Sequence, residues 1–104
     1  MTIPDVFSAL ASPVRRSLLT MLAERPQTVN ELAARFDMRR PSVSEHLRIL
    51  KDTGLVHEHR AGRHRVYDVD TEPLRDVADW LHPFERFWRD RLHALAGLLE
   101  EERP

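Results

Sequence analysis

Apolar positions in this chain recur at helical spacing over most of its length, then switch to alternation in one short stretch. Val6, Phe7 and Leu10 predict a short helix over 3–10, and Leu18, Leu19 and Leu22 predict a second after Ser12-Pro13, with serine as N-cap and proline at the first helical position. Arg25-Pro26 ends it. The run TVNE at 28–31 has the form of a capping box, Thr28 as N-cap and Glu31 reaching back, ahead of Leu32, Ala33 and Phe36. This third helix is expected to stop near Asp37. Pro41 then opens a fourth that runs to about Thr53, where Gly54 caps its C-terminus. Val43, Leu47 and Leu50 form its buried stripe, within roughly 60° of one another on a helix of 3.6 residues per turn.

Past Gly54 the period changes to two. Residues 55–60 and 64–69 flank Ala61-Gly62-Arg63 and predict a β-hairpin turning at Gly62. From Pro73 the pattern is helical again, with an interruption expected at Pro83. Phe84, Phe87, Trp88, Leu92, Leu95, Leu98 and Leu99 then follow at three- and four-residue spacings. The expected class is mostly α with a small β-hairpin. All 104 residues are read as a single domain, with a helix-turn-helix at 28–53, a hairpin at 55–69 and a C-terminal helix at 73–102.

Charge changes the picture more than composition does. The formal net charge is -1, yet residues 35–65 carry +4 and residues 66–104 carry -5. Four histidines, His46, His57, His59 and His64, lie in the basic third. That is a localised electrostatic footprint of the kind that meets phosphate. The chain has no cysteine, which removes disulfides and thiolate metal sites. No apolar run suits a bilayer span, and the first residues lack the pattern of a secretory signal, so no membrane partner and a cytoplasmic location are expected.

The polar start of the fourth helix is the feature that asks for a function. Arg39, Arg40, Ser42, Ser44, Glu45 and His46 crowd its first turns, where little can be buried. A short capped helix, a tight turn and a second helix with an exposed polar start match a DNA-reading helix-turn-helix, and the following hairpin makes it a winged one. The segments LASPVRRSLLTML, TVNELAARF, RPSVSEHLRILKDTGLV and RAGRHRVYDVD, in that order over about residues 5 to 70, resemble the ArsR/SmtB family of bacterial winged-helix repressors. The resemblance implies DNA contacts at Arg39, Arg40, Ser42, Ser44 and His46.

By helical geometry Glu45 and Arg48 point away from the buried stripe. Glu45 can accept from a cytosine amino group, or pair with Arg48 on a solvated face. His46 lies nearer the buried side, which suits a structural histidine as well as a base reader. Arg60, Arg63 and Arg65 surround the hairpin tip and suit phosphates or a minor groove. A solvated charged hairpin is the alternative.

The family pairs its first and last helices across a two-fold axis. The resemblance therefore implies a homodimer through Val6, Phe7, Leu10, Phe84, Phe87, Trp88, Leu92, Leu95 and Leu99. The function expected is repression by a homodimer on a double-stranded operator, with no enzyme activity, no cofactor and no RNA partner. The competing readings are a winged-helix module that binds only proteins and a metal-responsive repressor.

Two metal sites known in the family can be tested by residue. The cysteine site in the third helix has no thiols here. In the last helix His82 and His93 keep the family's gap, but Trp80 and Ala96 replace the outer ligands, and no metal site is expected. His57 and His59 share a strand face without a nearby third ligand.

Overall fold

The second predicted helix forms because Ser12 Oγ accepts from the Arg15 amide at 3.3 Å and Pro13 occupies the first turn, where its missing N–H costs nothing. In the computed structural model, which describes residues 5–101, eight elements follow in order. They are α1 (Val6–Leu10), α2 (Pro13–Glu24), β1 (Gln27–Thr28), α3 (Val29–Ala34), α4 (Arg40–Asp52), β2 (Val56–Ala61), β3 (His64–Val69) and α5 (Leu74–Glu101). Among the described residues no helix is long and apolar enough to cross a membrane.

Asp5 caps α1, its carboxylate accepting from the Ser8 amide at 2.7 Å, so the helix starts later than the expected residue 3; Ile3 and Pro4 lie outside the described residues. The capping box at Thr28 and Glu31 forms in both directions, each bond 3.2 Å long. Helix α3 ends at Ala34 rather than near Asp37, and Phe36 and Met38 in the turn pack against the core instead. Helix α4 closes on Gly54 at φ +79, with Gly54 N–H donating to Lys51 and Leu55 N–H to Leu50. That paired pattern requires a left-handed residue, which glycine supplies without strain.

A short strand escaped the sequence reading. Gln27 and Thr28 pair antiparallel with Tyr67 and Val66, giving a three-stranded sheet in the order β1-β3-β2. Two residues are too few to show alternation, so no periodicity could announce them. Gln27, almost fully buried, pays for its burial with hydrogen bonds: Nε2 donates to the Met21 and Arg25 carbonyls, and Oε1 accepts from Arg35. It thereby fastens α2 to α3.

The core is one cluster in which Leu18, Leu32, Val43, Leu47, Leu50 and Leu55 are fully enclosed, with Val56 and Tyr67 closing it from the sheet. Val6 also lies in it at 7% exposure, so its expected place in a dimer interface is corrected: a five-residue helix needs that anchor to stay docked. Leu10 is half-buried against the same cluster.

Helix α5 behaves differently. Leu74 and Val77 pack on the core, after which the helix runs on with little cover. The radius of gyration is 18.2 Å, against about 13 Å for a compact domain of this length. The interruption expected at Pro83 does not occur, and α5 is continuous through it. Proline forfeits one bond to the carbonyl four residues back, and here that residue, Asp79, is exposed, so water can satisfy the freed oxygen.

Candidate nucleic-acid interface

The α3–turn–α4 unit presents the start of α4 beside the hairpin. Pro41, Glu45, Arg48 and Asp52 run along the outer side of α4, opposite Val43, Leu47 and Leu50. On one flank, Arg40 and Ser44 open onto a groove of about 300 Å³ whose other walls are Thr28, Val29 and Asn30 at the start of α3 and Arg63, His64, Arg65 and Tyr67 of the wing. Arg40 therefore meets Arg63 and Arg65, from a distant stretch of the sequence, on one concavity. Asn30 and His64 were not singled out as site residues, because nothing local in the sequence marks a groove wall. Arg39, the N-cap of α4 with no side-chain capping bond, is exposed, as is Ser42 on the opposite flank.

The wing concentrates positive charge. Its turn is the Ala61–His64 stretch with Gly62 at φ +65, and the register sets Arg60 directly across from Arg65. Like charges facing each other across strands destabilise a hairpin. Arg65 is relieved by Glu58, 3.2 Å away, whereas Arg60 and Arg63 point to solvent with no ion pair among the described residues.

Glu58 is the root of the wing. Lys51 of α4, the Tyr67 hydroxyl and Arg65 all converge on its carboxylate. Burial pushes the Glu58 carboxyl up, but the hydrogen bonds from Lys51 and Tyr67 and the charges of Lys51 and Arg65 outweigh it and hold it below the ordinary value. It is thus ionised at neutral pH, and it ties the angle of the wing to the end of α4.

Two further candidate residues of α4 make the contacts within the protomer that the sequence left open for them. Arg48 donates to both oxygens of Glu45 and lies 3.5 Å from Asp52. The hydrogen bond from Arg48 lowers the Glu45 carboxyl and raises the guanidinium, so the one cation on the outer face of α4 is shared between two carboxylates. His46 is half-buried and faces Arg15 of α2, its Nδ1 3.4 Å from Nη1. Sequence reasoning missed Arg15 because its partner is 31 residues away.

Three of the other five histidines pair with carboxylates. His57 meets Asp70 at 2.6 Å, His59 meets Asp68 at 3.5 Å and His82 meets Glu85 at 3.7 Å. Among the described residues no group of three or more His, Cys, Asp or Glu side chains is gathered as a metal cage.

On α5 every large exposed apolar residue falls on one side. Trp80, Phe84, Phe87, Trp88, Leu92, Leu95, Leu98 and Leu99 occupy a stripe about 140° wide, with Leu95 near its centre. Trp80 joins the residues expected there. The exposed Phe7 of α1 meets Trp80 edge-on at 6.1 Å, extending the stripe across both helices.

A family model for a helix-turn-helix domain matches residues 10–59. The transcriptional repressor SdpR of Bacillus subtilis is 35% identical over 80 residues, which is 77% of this chain and 89% of that protein. An ArsR-like transcriptional regulator from a Rhodococcus species matches in structure with a TM-score of 0.71 at 31% identity, over 94% of this chain and 90% of that one. This chain belongs to the ArsR/SmtB family of transcriptional regulators. A further member of the comparison, from Mycobacterium bovis, is a homodimeric winged helix-turn-helix DNA-binding domain described as a possible ArsR-family regulator. It matches with a TM-score of 0.60 at 30% identity, over 94% of this chain and 77% of that one. Membership of the ArsR/SmtB family makes this a winged helix-turn-helix protein of a DNA-binding, non-enzymatic class.

Proposed function

We propose that the protein represses transcription by occupying a promoter operator as a homodimer, with α4 in the major groove and the wing alongside. The observation that carries this reading is the groove where Arg40 and Ser44 of α4 face Arg63 and Arg65 of the wing. A duplex laid against it meets base-reading groups on the helix and phosphate-binding groups on the wing together. Arg39, Ser42 and His46 serve the other flank of α4, and Arg60 adds to the wing. Glu45 and Arg48 contribute by screening or by exchanging their mutual bond for a base edge. Such a target implies residence in the cytoplasm.

Dimerisation follows from the stripe on α5. Phe7 with Phe84, Phe87, Trp88, Leu92, Leu95 and Leu99 leaves a wide apolar surface in water, which a second copy would cover. The homodimeric Mycobacterium bovis relative supports that arrangement. A two-fold dimer would set the two reading helices about one turn of DNA, ~34 Å, apart.

The test is titration against a specific and a random duplex at several salt concentrations. Arg40→Ala should cost ~1–3 kcal/mol on the specific duplex and little on the random one. Arg63→Ala should weaken both and make the salt slope shallower by about one. Equal losses on both duplexes for both variants would refute the division between reader and wing.

A further inference from the structure

Arg15 of α2 touches two other helices. From α2 its Nε donates to the Ala9 carbonyl at 2.7 Å and its Nη2 to the Ser8 carbonyl at 3.2 Å, both near the end of α1, while Nη1 lies against His46 Nδ1 of α4 at 3.4 Å. A guanidinium carries five N–H donors and no acceptor, and it stays protonated. In a hydrogen bond between the two, His46 Nδ1 can only be the acceptor. That bond needs the tautomer with the proton on Nε2.

The second nitrogen is the informative one. Among the described residues no protein hydrogen bond reaches Nε2, and no fully buried side-chain nitrogen or oxygen lacks a partner. Nε2 of the half-buried ring is consequently not sealed from solvent. It stands one turn beyond Ser42, on the flank of α4 away from the Arg40–Ser44 groove.

We propose that Arg15 is a positioning residue for DNA reading, which locks His46 as the Nε2–H tautomer so that α4 offers a fixed hydrogen-bond donor to an acceptor nitrogen or oxygen on the duplex. The proposal rests on the DNA-binding function above. Its physical basis is preorganisation: a ring already held in tautomer and orientation loses less freedom when it binds. Arg15 also grips α1, whose Phe7 meets Trp80 of α5, so the ring is held from the side of the molecule that carries the apolar stripe.

Two measurements decide it. In the free protein, long-range ¹H–¹⁵N spectra should show the Nε2–H tautomer of His46 and an Nδ1 resonance displaced by a hydrogen bond. That displacement should vanish in Arg15→Lys, which keeps a cation beside α1 but cannot span to the ring. A proton on Nδ1, or an unchanged Nδ1 resonance in a folded Arg15→Lys protein, overturns the proposal.

The second measurement uses the duplex that the wild-type protein selects from a random-sequence library. Glutamine places an amide donor near the position of Nε2, whereas asparagine reaches only as far as Nδ1. His46→Gln should therefore keep most of the affinity, and His46→Asn should lose about three- to tenfold, the worth of one hydrogen bond. Arg15→Lys should cost as much in the wild-type background and little beside His46→Gln.

Within that duplex, 7-deazapurine and methylphosphonate substitutions separate a base acceptor from a phosphate one. The one that weakens the wild type but not His46→Ala marks the acceptor. Equal binding by His46→Gln and His46→Asn, or no substitution whose effect depends on His46, overturns the proposal while DNA binding stands. Failure to select any duplex overturns the DNA-binding reading itself, and the proposal with it, whatever the spectra show.

Discussion

Replacing Leu95 by glutamate strikes the centre of the α5 stripe. Leu95 is 55% exposed, and full burial of a leucine side chain is worth about 1.5–3 kcal/mol, so a partner helix covering it would gain roughly half of that, about 1–1.5 kcal/mol. Two-fold symmetry applies the loss twice, for about 2–3 kcal/mol per dimer. A carboxylate forced into the covered stripe adds a desolvation penalty of several kcal/mol, only partly offset by Arg91 one turn away. Dimer affinity should therefore fall at least about 100-fold.

The fold of each protomer should survive Leu95→Glu, because Leu95 touches nothing in the core cluster. Sedimentation equilibrium across the micromolar range would read the change, with circular dichroism as the check on folding. Affinity for a two-half-site duplex should drop with it, since a monomer engages one half-site. A wild type that sediments as a monomer at tens of micromolar, or a Leu95→Glu protein that stays dimeric, would refute the reasoning.

Acid should loosen the wing before it unfolds the core: the Glu58 carboxyl is lowered in the fold, so its stabilisation is present above the ordinary carboxylate value near 4.5 and is lost as pH falls through the folded one. Glu58→Gln should mimic that loss at neutral pH and flatten the acid limb of a stability–pH curve measured by urea denaturation; an unchanged limb would show that other carboxylates set it. Pro83→Ala should raise the thermal midpoint of the protein, by well under the roughly 3 kcal/mol that an interior proline costs in full, because it restores a bond to the Asp79 carbonyl that water already replaces in part; a lowered midpoint would mean that the ring packs in a way its exposure conceals.

Local rules were legible in the sequence because their causes are local. Ser12-Pro13, the Thr28–Glu31 box and Gly54 each act within five residues of chain, and each was found where the composition placed it. The hairpin was equally plain, since alternation and a glycine at positive φ need no distant partner. The match to the ArsR/SmtB family drew on that same order of capped helices and wing.

What the sequence could not settle depends on partners brought from afar. The two-residue strand at Gln27 exists only because β3 lies beside it, and Gln27 can be buried only because Met21, Arg25 and Arg35 satisfy its amide. Helix propensity predicted a break at Pro83, but an exposed carbonyl made continuity cheap. Periodicity put Val6 on an apolar face without saying which apolar surface would claim it, and the protomer's own core did. Helical geometry left Arg48 either to read DNA or to pair with Glu45, and left His46 open between a structural and a reading role; tertiary packing set Arg48 against Glu45 and Asp52 and placed His46 beside Arg15. Side-chain type and spacing determine which groups a helix can offer; only the packed neighbours decide which of those groups remain free to bind.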